Sequence, residues 1–242
     1  MDAANSKRLA AMWPGFVGLD KRRERETPFI LRHASKPEPD VFDACLGCGA
    51  TTIGLKLAGL DGIISNEIDP NMKAVAIAEA GKRGLGLDIV GYDWRELTSL
   101  SMGKFDLVTC LGNSLTYIFD REGQVQALLG FASLLSHGGV LMIDERNYPA
   151  ILDGRFSQSG DYVYCGTEVS CMPYIVSPER VVMEYVHHAS GDAAYLTLYP
   201  FKRGEVQELL AITGFRDVRV FGDYQADFDP AQAEFFTYVA RI

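Results

Sequence analysis

Long apolar runs are missing. Stretches such as Val140-Leu141-Met142-Ile143 fall far short of the roughly 18 residues a membrane-spanning helix requires. Positive charge is also scarce: 23 Lys and Arg stand against 32 Asp and Glu, a net charge of −9. A nucleic-acid surface needs a basic face, and this balance argues against one. The basic cluster Lys21-Arg22-Arg23-Glu24-Arg25 is short and interrupted, as on a solvated helix face. The first residues, MDAANSKRLAAMW, contain no continuous apolar segment, so no secretory signal is expected. The five cysteines are an odd number and read as reduced thiols in a cytoplasmic protein. No second CxxC or CxxH pair follows Cys45-x-x-Cys48, so no metal site is expected. Internal repeats and low-complexity segments are absent. With 48% hydrophobic and 23% charged residues in 242, the chain suits one domain with a sizeable core.

The first forty residues read as helical, Arg22 to Ala34 as a charged helix, and Lys36 to Asp40 as punctuation. Short apolar segments then alternate with helical periodicity. Strands are expected at Val41–Ala44, Gly62–Asn66, Leu87–Val90, Phe105–Cys110 and Val140–Asp144. Helices are expected at Thr51–Leu60, from Asp69-Pro70 to about Lys82, and at Gln124–Leu135, ended by His137-Gly138-Gly139. That alternation indicates βαβ units and a doubly wound α/β sheet. Residues 161–200 are rich in β-branched and aromatic types, with turns at Ser177-Pro178 and Ser190-Gly191-Asp192, and suggest an antiparallel meander. After a helix at Glu205–Ile212, Phe215–Phe221 and Glu234–Val239 suit an antiparallel pair that completes the main sheet. The expected division is a helical cap over 1–40, a Rossmann-like core over 41–145 and 200–242, and a small antiparallel β insert or lid over 146–199.

Gly47 and Gly49 stand where the chain turns from the first strand into a helix. Glycine there lets a ligand approach the backbone, and strand C-termini are where doubly wound sheets bind ligands. Glu67, at the end of the second strand, can take both hydroxyls of a ribose. The two features together imply an adenosine-containing ligand. A dinucleotide fingerprint would place a third glycine at position 52, but Thr52 is there. After the third strand, Asp93-Trp94 can accept an adenine amino group and cover a purine face, or be a helix cap and a core residue. After the fourth, Leu111-Gly112-Asn113-Ser114 can face the same crevice.

These segments, with Asp144-Glu145-Arg146-Asn147-Tyr148, resemble class I S-adenosylmethionine-dependent methyltransferases, and more narrowly the glycine and glycine/sarcosine N-methyltransferase group. The resemblance continues through Tyr162–Gly166, Tyr199-Pro200 and Phe221–Tyr224. It implies S-adenosylmethionine as cofactor and S-adenosylhomocysteine as product. By the same resemblance Trp13, Arg23, Cys45, Gly47, Gly49, Glu67, Asp93, Trp94 and Leu111 to Ser114 bind the cofactor. Arg23 would meet the methionine carboxylate. Arg146 would hold the carboxylate of a small amino-acid acceptor, with Asn113, Tyr164, Tyr185 and Tyr199 around the reacting amine. Phe16 stands where the glycine enzyme has a tyrosine. The implied partner is a small molecule with a carboxylate or other anionic group; the oligomeric state is open.

Methyl transfer from a sulfonium is an in-line displacement, in which positioning supplies much of the catalysis. A planar guanidinium suits a carboxylate, although Arg146 could instead pair with Glu145. Alternatives stay open: methyl transfer to sulfur of a methionine-like amino acid or to oxygen of another small anion, a binding protein without turnover, a nicotinamide enzyme, or a thiol redox protein using Cys45 and Cys48.

Overall fold

The structure is a computed structural model that describes residues 3–100 and 102–242. Two helices open it, α1 (Ala3–Val17) and α2 (Leu19–His33), hinged at Gly18 with φ +62°. A β-carbon at Gly18 would sit 2.6 Å from the amide of Gly166, and one at Gly166 only 1.9 Å from the carbonyl of Gly15. The close approach lets Cys165 and Gly166 donate backbone hydrogen bonds to Val17 and Phe16. It ties the N-terminal helices to the distant insert.

The core then runs β1 (Val41–Asp43), α3 (Ala50–Leu57), β2 (Ile63–Asn66), α4 (Pro70–Gly81), β3 (Asp88–Val90), β4 (Phe105–Cys110), α5 (Arg121–Leu134) and β5 (Leu135–Arg146). A short helix α6 (Tyr148–Leu152) follows. Next come β6 (Val169–Val176), β7 (Val181–His187), β8 (Ala193–Leu198), α7 (Glu205–Ile212), β9 (Arg216–Gly222) and β10 (Phe235–Arg241). The main sheet has the order β3-β2-β1-β4-β5-β10-β9. Strands β1 to β5 pair in parallel, and β10 is antiparallel to both β5 and β9. A separate antiparallel sheet, β6-β7-β8, forms the meander expected from the aromatic and β-branched stretch.

Several boundaries differ from expectation, two of them with a visible cause. The fifth strand starts at Leu135, not Val140, because Leu135 pairs with Phe105 before a bulge lets Ser136 to Gly139 loop out and Val140 pair with Leu107. Helix α5 starts at Arg121, since the Asp120 side chain accepts the Gly123 amide at 2.6 Å. Asp69 caps α4 as expected, accepting from Asn71 and Met72. Among the described residues, no helix is long and apolar enough to cross a membrane, and no group of three His, Cys, Asp or Glu side chains could hold a metal.

The strand order reverses between β1 and β4. Their C-terminal ends diverge there, and β1, β2, β3 and β4 all deliver their last residues to one edge.

Candidate active site

A cavity of about 510 Å³ opens at that edge. Its floor is the turn after β1. Asp43, fully buried, accepts hydrogen bonds from the Thr52 hydroxyl at 2.6 Å and the Thr109 hydroxyl at 3.2 Å, which fixes the turn against its neighbours. Thr52 also lies 2.9 Å from Ser65. A hydroxyl thus packs and bonds at the position of the missing third glycine. Gly47, at φ +53°, lines the cavity, and a β-carbon there would meet nothing closer than the Trp13 indole nitrogen, 3.8 Å away. Gly49, at φ +91°, faces the other way; its β-carbon would strike Ile53 at 2.9 Å. Gly49 lies outside the cavity lining and, with its left-handed backbone, lets α3 begin.

Glu67 lines the cavity beside Gly47. Its Oε2 accepts the Gly47 amide at 2.9 Å, and its Oε1 accepts the Asp69 amide at 2.8 Å. Each oxygen keeps a lone pair. Burial pushes the carboxyl up to about 6, against the pull of the two amides. A ligand donating hydroxyls to this carboxylate would compensate its desolvation.

Asp93 and Trp94 line the opposite end. Trp94 donates its indole N–H to the Ala44 carbonyl at 2.7 Å, and its ring packs on Phe131. Asp93 accepts the backbone N–H of Arg95 and pairs with its guanidinium, which holds the carboxyl below its usual range. Asp93 thus caps the 3₁₀ turn at Trp94–Ser99. Cap and cavity wall prove compatible in one residue.

From the fourth strand end, Leu111, Gly112 and Ser114 line the cavity. Asn113, expected beside them, does not line it. It adopts φ +67°, is buried, and turns its amide inward. Its N–H donates to Asp144 at 2.6 Å, its Oδ1 accepts the Arg146 amide at 3.0 Å, and its Nδ2 lies 2.8 Å from the Tyr148 hydroxyl. Asn113 thus braces the start of the Arg146 segment.

The roof comes from α1 and α2. Trp13 lines the cavity, while Ser6 hydrogen-bonds Asp69 at 2.5 Å and Asn5 exchanges two hydrogen bonds with the Tyr195 backbone. Arg23 is half exposed and reaches Asp20 at 4.0 Å. It does not line the cavity. Arg22 does, one position earlier on α2. Successive helical residues are rotated by about 100°, so the two arginines face different surroundings. Arg22 is buried and ion-paired with Glu26 at 2.5 Å. Glu26 is held in turn by Thr51 at 2.8 Å and Tyr224 at 3.1 Å. The i,i+4 pair Arg22–Glu26, between apolar neighbours, was the sign of an inward face.

Cys45 lines the cavity and donates its thiol to the Leu111 carbonyl at 3.0 Å. Its Cys110 neighbour and burial push the Cys45 thiol well up, and burial pushes Cys48 up to about 12. Both shifts disfavour the thiolate, and all five cysteines are free. A redox thiol needs the opposite shift, which weighs against the thiol redox alternative.

The residues expected around an acceptor separate into two groups. Arg146 is only 2% exposed and lies 4.6 Å from the Tyr164 ring centroid and 5.1 Å from that of Phe235. Its Nη2 meets Gln158 at 3.5 Å and the Cys171 sulfur at 3.8 Å, while its Nε has no hydrogen-bond partner. No carboxylate among the described residues forms an ion pair with it. Glu145, the expected rival partner, points to the other face of β5 and takes the Tyr238 hydroxyl at 2.6 Å. Tyr164 lines the cavity and donates its hydroxyl to the Gly112 carbonyl at 2.8 Å. Tyr185 is buried 4.9 Å from Phe16 and 5.4 Å from Trp13, ring to ring, behind the cavity wall. Tyr199 belongs elsewhere. Its hydroxyl donates to Glu205 at 2.7 Å and its ring packs on Phe119 and Phe201, away from Arg146 and Tyr164. It sits just beyond β8, where the chain has already crossed to the α5–α7 face.

Comparison with known proteins bears on this geometry. The chain is 32% identical to the glycine/sarcosine N-methyltransferase of Halorhodospira halochloris, over 95% of this chain and 85% of the relative. It is 33% identical to that of Parasynechococcus marenigrum, over 95% and 81%. An S-adenosylmethionine-dependent methyltransferase from Clostridium acetobutylicum has the same fold, with a TM-score of 0.72 at 16% identity over 97% and 98% of the two chains. No family model matches the chain.

Proposed function

The chain belongs to the glycine/sarcosine N-methyltransferase family, and on that premise we propose that it methylates the amino nitrogen of a small amino acid such as glycine or sarcosine. It is an S-adenosylmethionine-dependent methyltransferase, and that cofactor is its methyl donor. The cofactor supplies an already activated methyl group, so the protein's task is to bind, orient and exclude water.

The residues present suit such a ligand. In this reading Glu67 takes the ribose hydroxyls with its free lone pairs, and Trp94 and Asp93 flank the purine. Glu26 engages the Nε and Nη2 of Arg22, leaving Nη1 for the methionine carboxylate. Residues 146–199 serve as the acceptor-binding insert.

The observation that carries the acceptor half is Arg146. A buried guanidinium without a carboxylate is costly, and an amino acid's carboxylate would relieve that cost through two parallel hydrogen bonds. Asn113 and Tyr148 hold the backbone from which Arg146 projects. Tyr164, touching both Arg146 and the cavity, stands between the anion site and the reacting end. Nitrogen is favoured over sulfur or oxygen because the relatives at this identity are N-methyltransferases.

The test is calorimetric titration with S-adenosylhomocysteine, then its release from S-adenosylmethionine in the presence of glycine, sarcosine, dimethylglycine or methionine. Binding with release on an amine is expected. Release with methionine or an oxygen acceptor alone would overturn the nitrogen assignment.

A further inference from the structure

We infer that the amino-acid acceptor reaches Arg146 through an opening of its own, separate from the cofactor cavity. A second cavity, about 280 Å³, lies between α6 with the loop after it and the segment before β10. Arg146 forms its inner end; the exposed Ser157 and Ala231 stand on its rim. The two cavities share no lining residue. The larger one contains Tyr164 but not Arg146, and the smaller one contains Arg146 but not Tyr164.

Tyr164 is therefore the partition. Its ring is held between the Arg146 guanidinium at 4.6 Å and the Phe16 ring at 4.4 Å, and its hydroxyl is tied to Gly112. The Arg146 Nε is buried and, among the described residues, without a hydrogen-bond partner. The space exceeds the roughly 30 Å³ share of a water molecule several-fold, so a small zwitterion fits. The mouth is held by side chains, not by strand pairing: Arg155 bridges it to the Ala231 carbonyl at 2.9 Å, and Ser157 reaches Glu234 at 3.3 Å.

The ligand class is a small carboxylate bearing an amine. Its carboxylate rests on Arg146 while the amine end leads past a displaced Tyr164 toward the methyl. Acceptor and cofactor can then load and leave independently. This deepens the acceptor assignment above and rests on it, but the opening can be tested without turnover.

The probe is 2,3-butanedione in borate, with adducts at Arg146 resolved by peptide mass spectrometry. We expect saturating S-adenosylhomocysteine, which fills the larger cavity, to leave Arg146 labelling essentially unchanged. Ala231→Trp and Ser157→Trp, on opposite sides of the mouth, should each slow labelling several-fold while binding S-adenosylhomocysteine like the wild type. Absence of any Arg146 adduct would overturn the inference. So would suppression by S-adenosylhomocysteine with no effect of either tryptophan. In turnover, both tryptophans should lower kcat/KM for the acceptor and leave the KM for S-adenosylmethionine unchanged. A wild type that methylates no amine would count against the acceptor assignment, while labelling still decides the opening.

Discussion

The Glu67 Oε2 accepts the backbone N–H of Gly47 at 2.9 Å, which makes the end of β2 and the glycine turn after β1 one unit. A carboxylate that receives ligand hydroxyls acts in its ionised form. Burial raises this carboxyl to about 6. Ligand hydroxyls would lower it again, so binding and ionisation favour each other. S-adenosylhomocysteine affinity should therefore be full above about pH 7 and fall as pH drops through about 6. Glu67→Gln should weaken binding about tenfold or more, the loss of a charge-assisted hydrogen bond, and flatten that pH dependence. Calorimetry at pH 5.5 and 8 checks both; an affinity independent of pH in the wild type would remove the ribose role.

Arg22 and Arg23 offer a paired comparison. Arg22→Lys keeps a cation for Glu26 but loses the fork. We expect it to weaken S-adenosylhomocysteine binding clearly, while Arg23→Lys stays close to wild type. Parallel titrations decide the matter, and the reverse order would restore Arg23 as the clamp.

Arg146→Ala should leave S-adenosylhomocysteine binding intact and reduce acceptor kcat/KM by about 30-fold or more, corresponding to the ~2–5 kcal/mol typical of truncating one partner of a buried charge pair. Arg146→Lys should recover only part of the loss, because an ammonium cannot present two parallel donors to a carboxylate. Steady-state kinetics in both substrates separates the two effects. A defect confined to the KM for S-adenosylmethionine would contradict the assignment.

Glu145 predicts a signature in stability. Its carboxyl is buried, receives one hydrogen bond from Tyr238, and is pushed up to about 8 by burial. In the unfolded chain a glutamate titrates near ~4.3. Between those values the native state holds the proton and the unfolded state does not, so this group's contribution to stability is lost as pH rises toward 8. The thermal midpoint should decline from pH 6 to pH 9, and Glu145→Gln, which still accepts from Tyr238, should reduce that slope. An unchanged slope in the variant would show that Glu145 is not the titrating group.

Much of this was legible in the chain, for identifiable reasons. Asp69-Pro70, the glycine turn and the alternation of apolar segments are local codes, and each appears where its residues indicate. The place of Glu67 at the cavity was legible because the strand ends of a doubly wound sheet gather at one edge. Side-chain direction was less so. Arg22 and Arg23 are adjacent; beyond the i,i+4 spacing of Arg22 from Glu26, it is the packing of α2 on α3 that selects which faces the cavity. Tyr199 and Tyr185 look alike in sequence, yet β8 ends between them and the chain changes faces. Asp93 was readable both as cap and as ligand group because it is a cap placed on a cavity wall. The separation of Arg146 from the larger cavity by Tyr164 joins residues from β5 and the start of the insert, a contact no local pattern encodes.

The most direct measurement is to follow the methyl group itself. S-adenosylmethionine carrying a ¹³C-methyl is incubated with the protein and sarcosine, and the product is read by NMR. The account predicts a new N-methyl resonance of dimethylglycine, with S-adenosylhomocysteine formed in equal amount, and its loss in Arg146→Ala. S-adenosylhomocysteine binding with the label never appearing on an amine nitrogen, for sarcosine or for glycine, would contradict it.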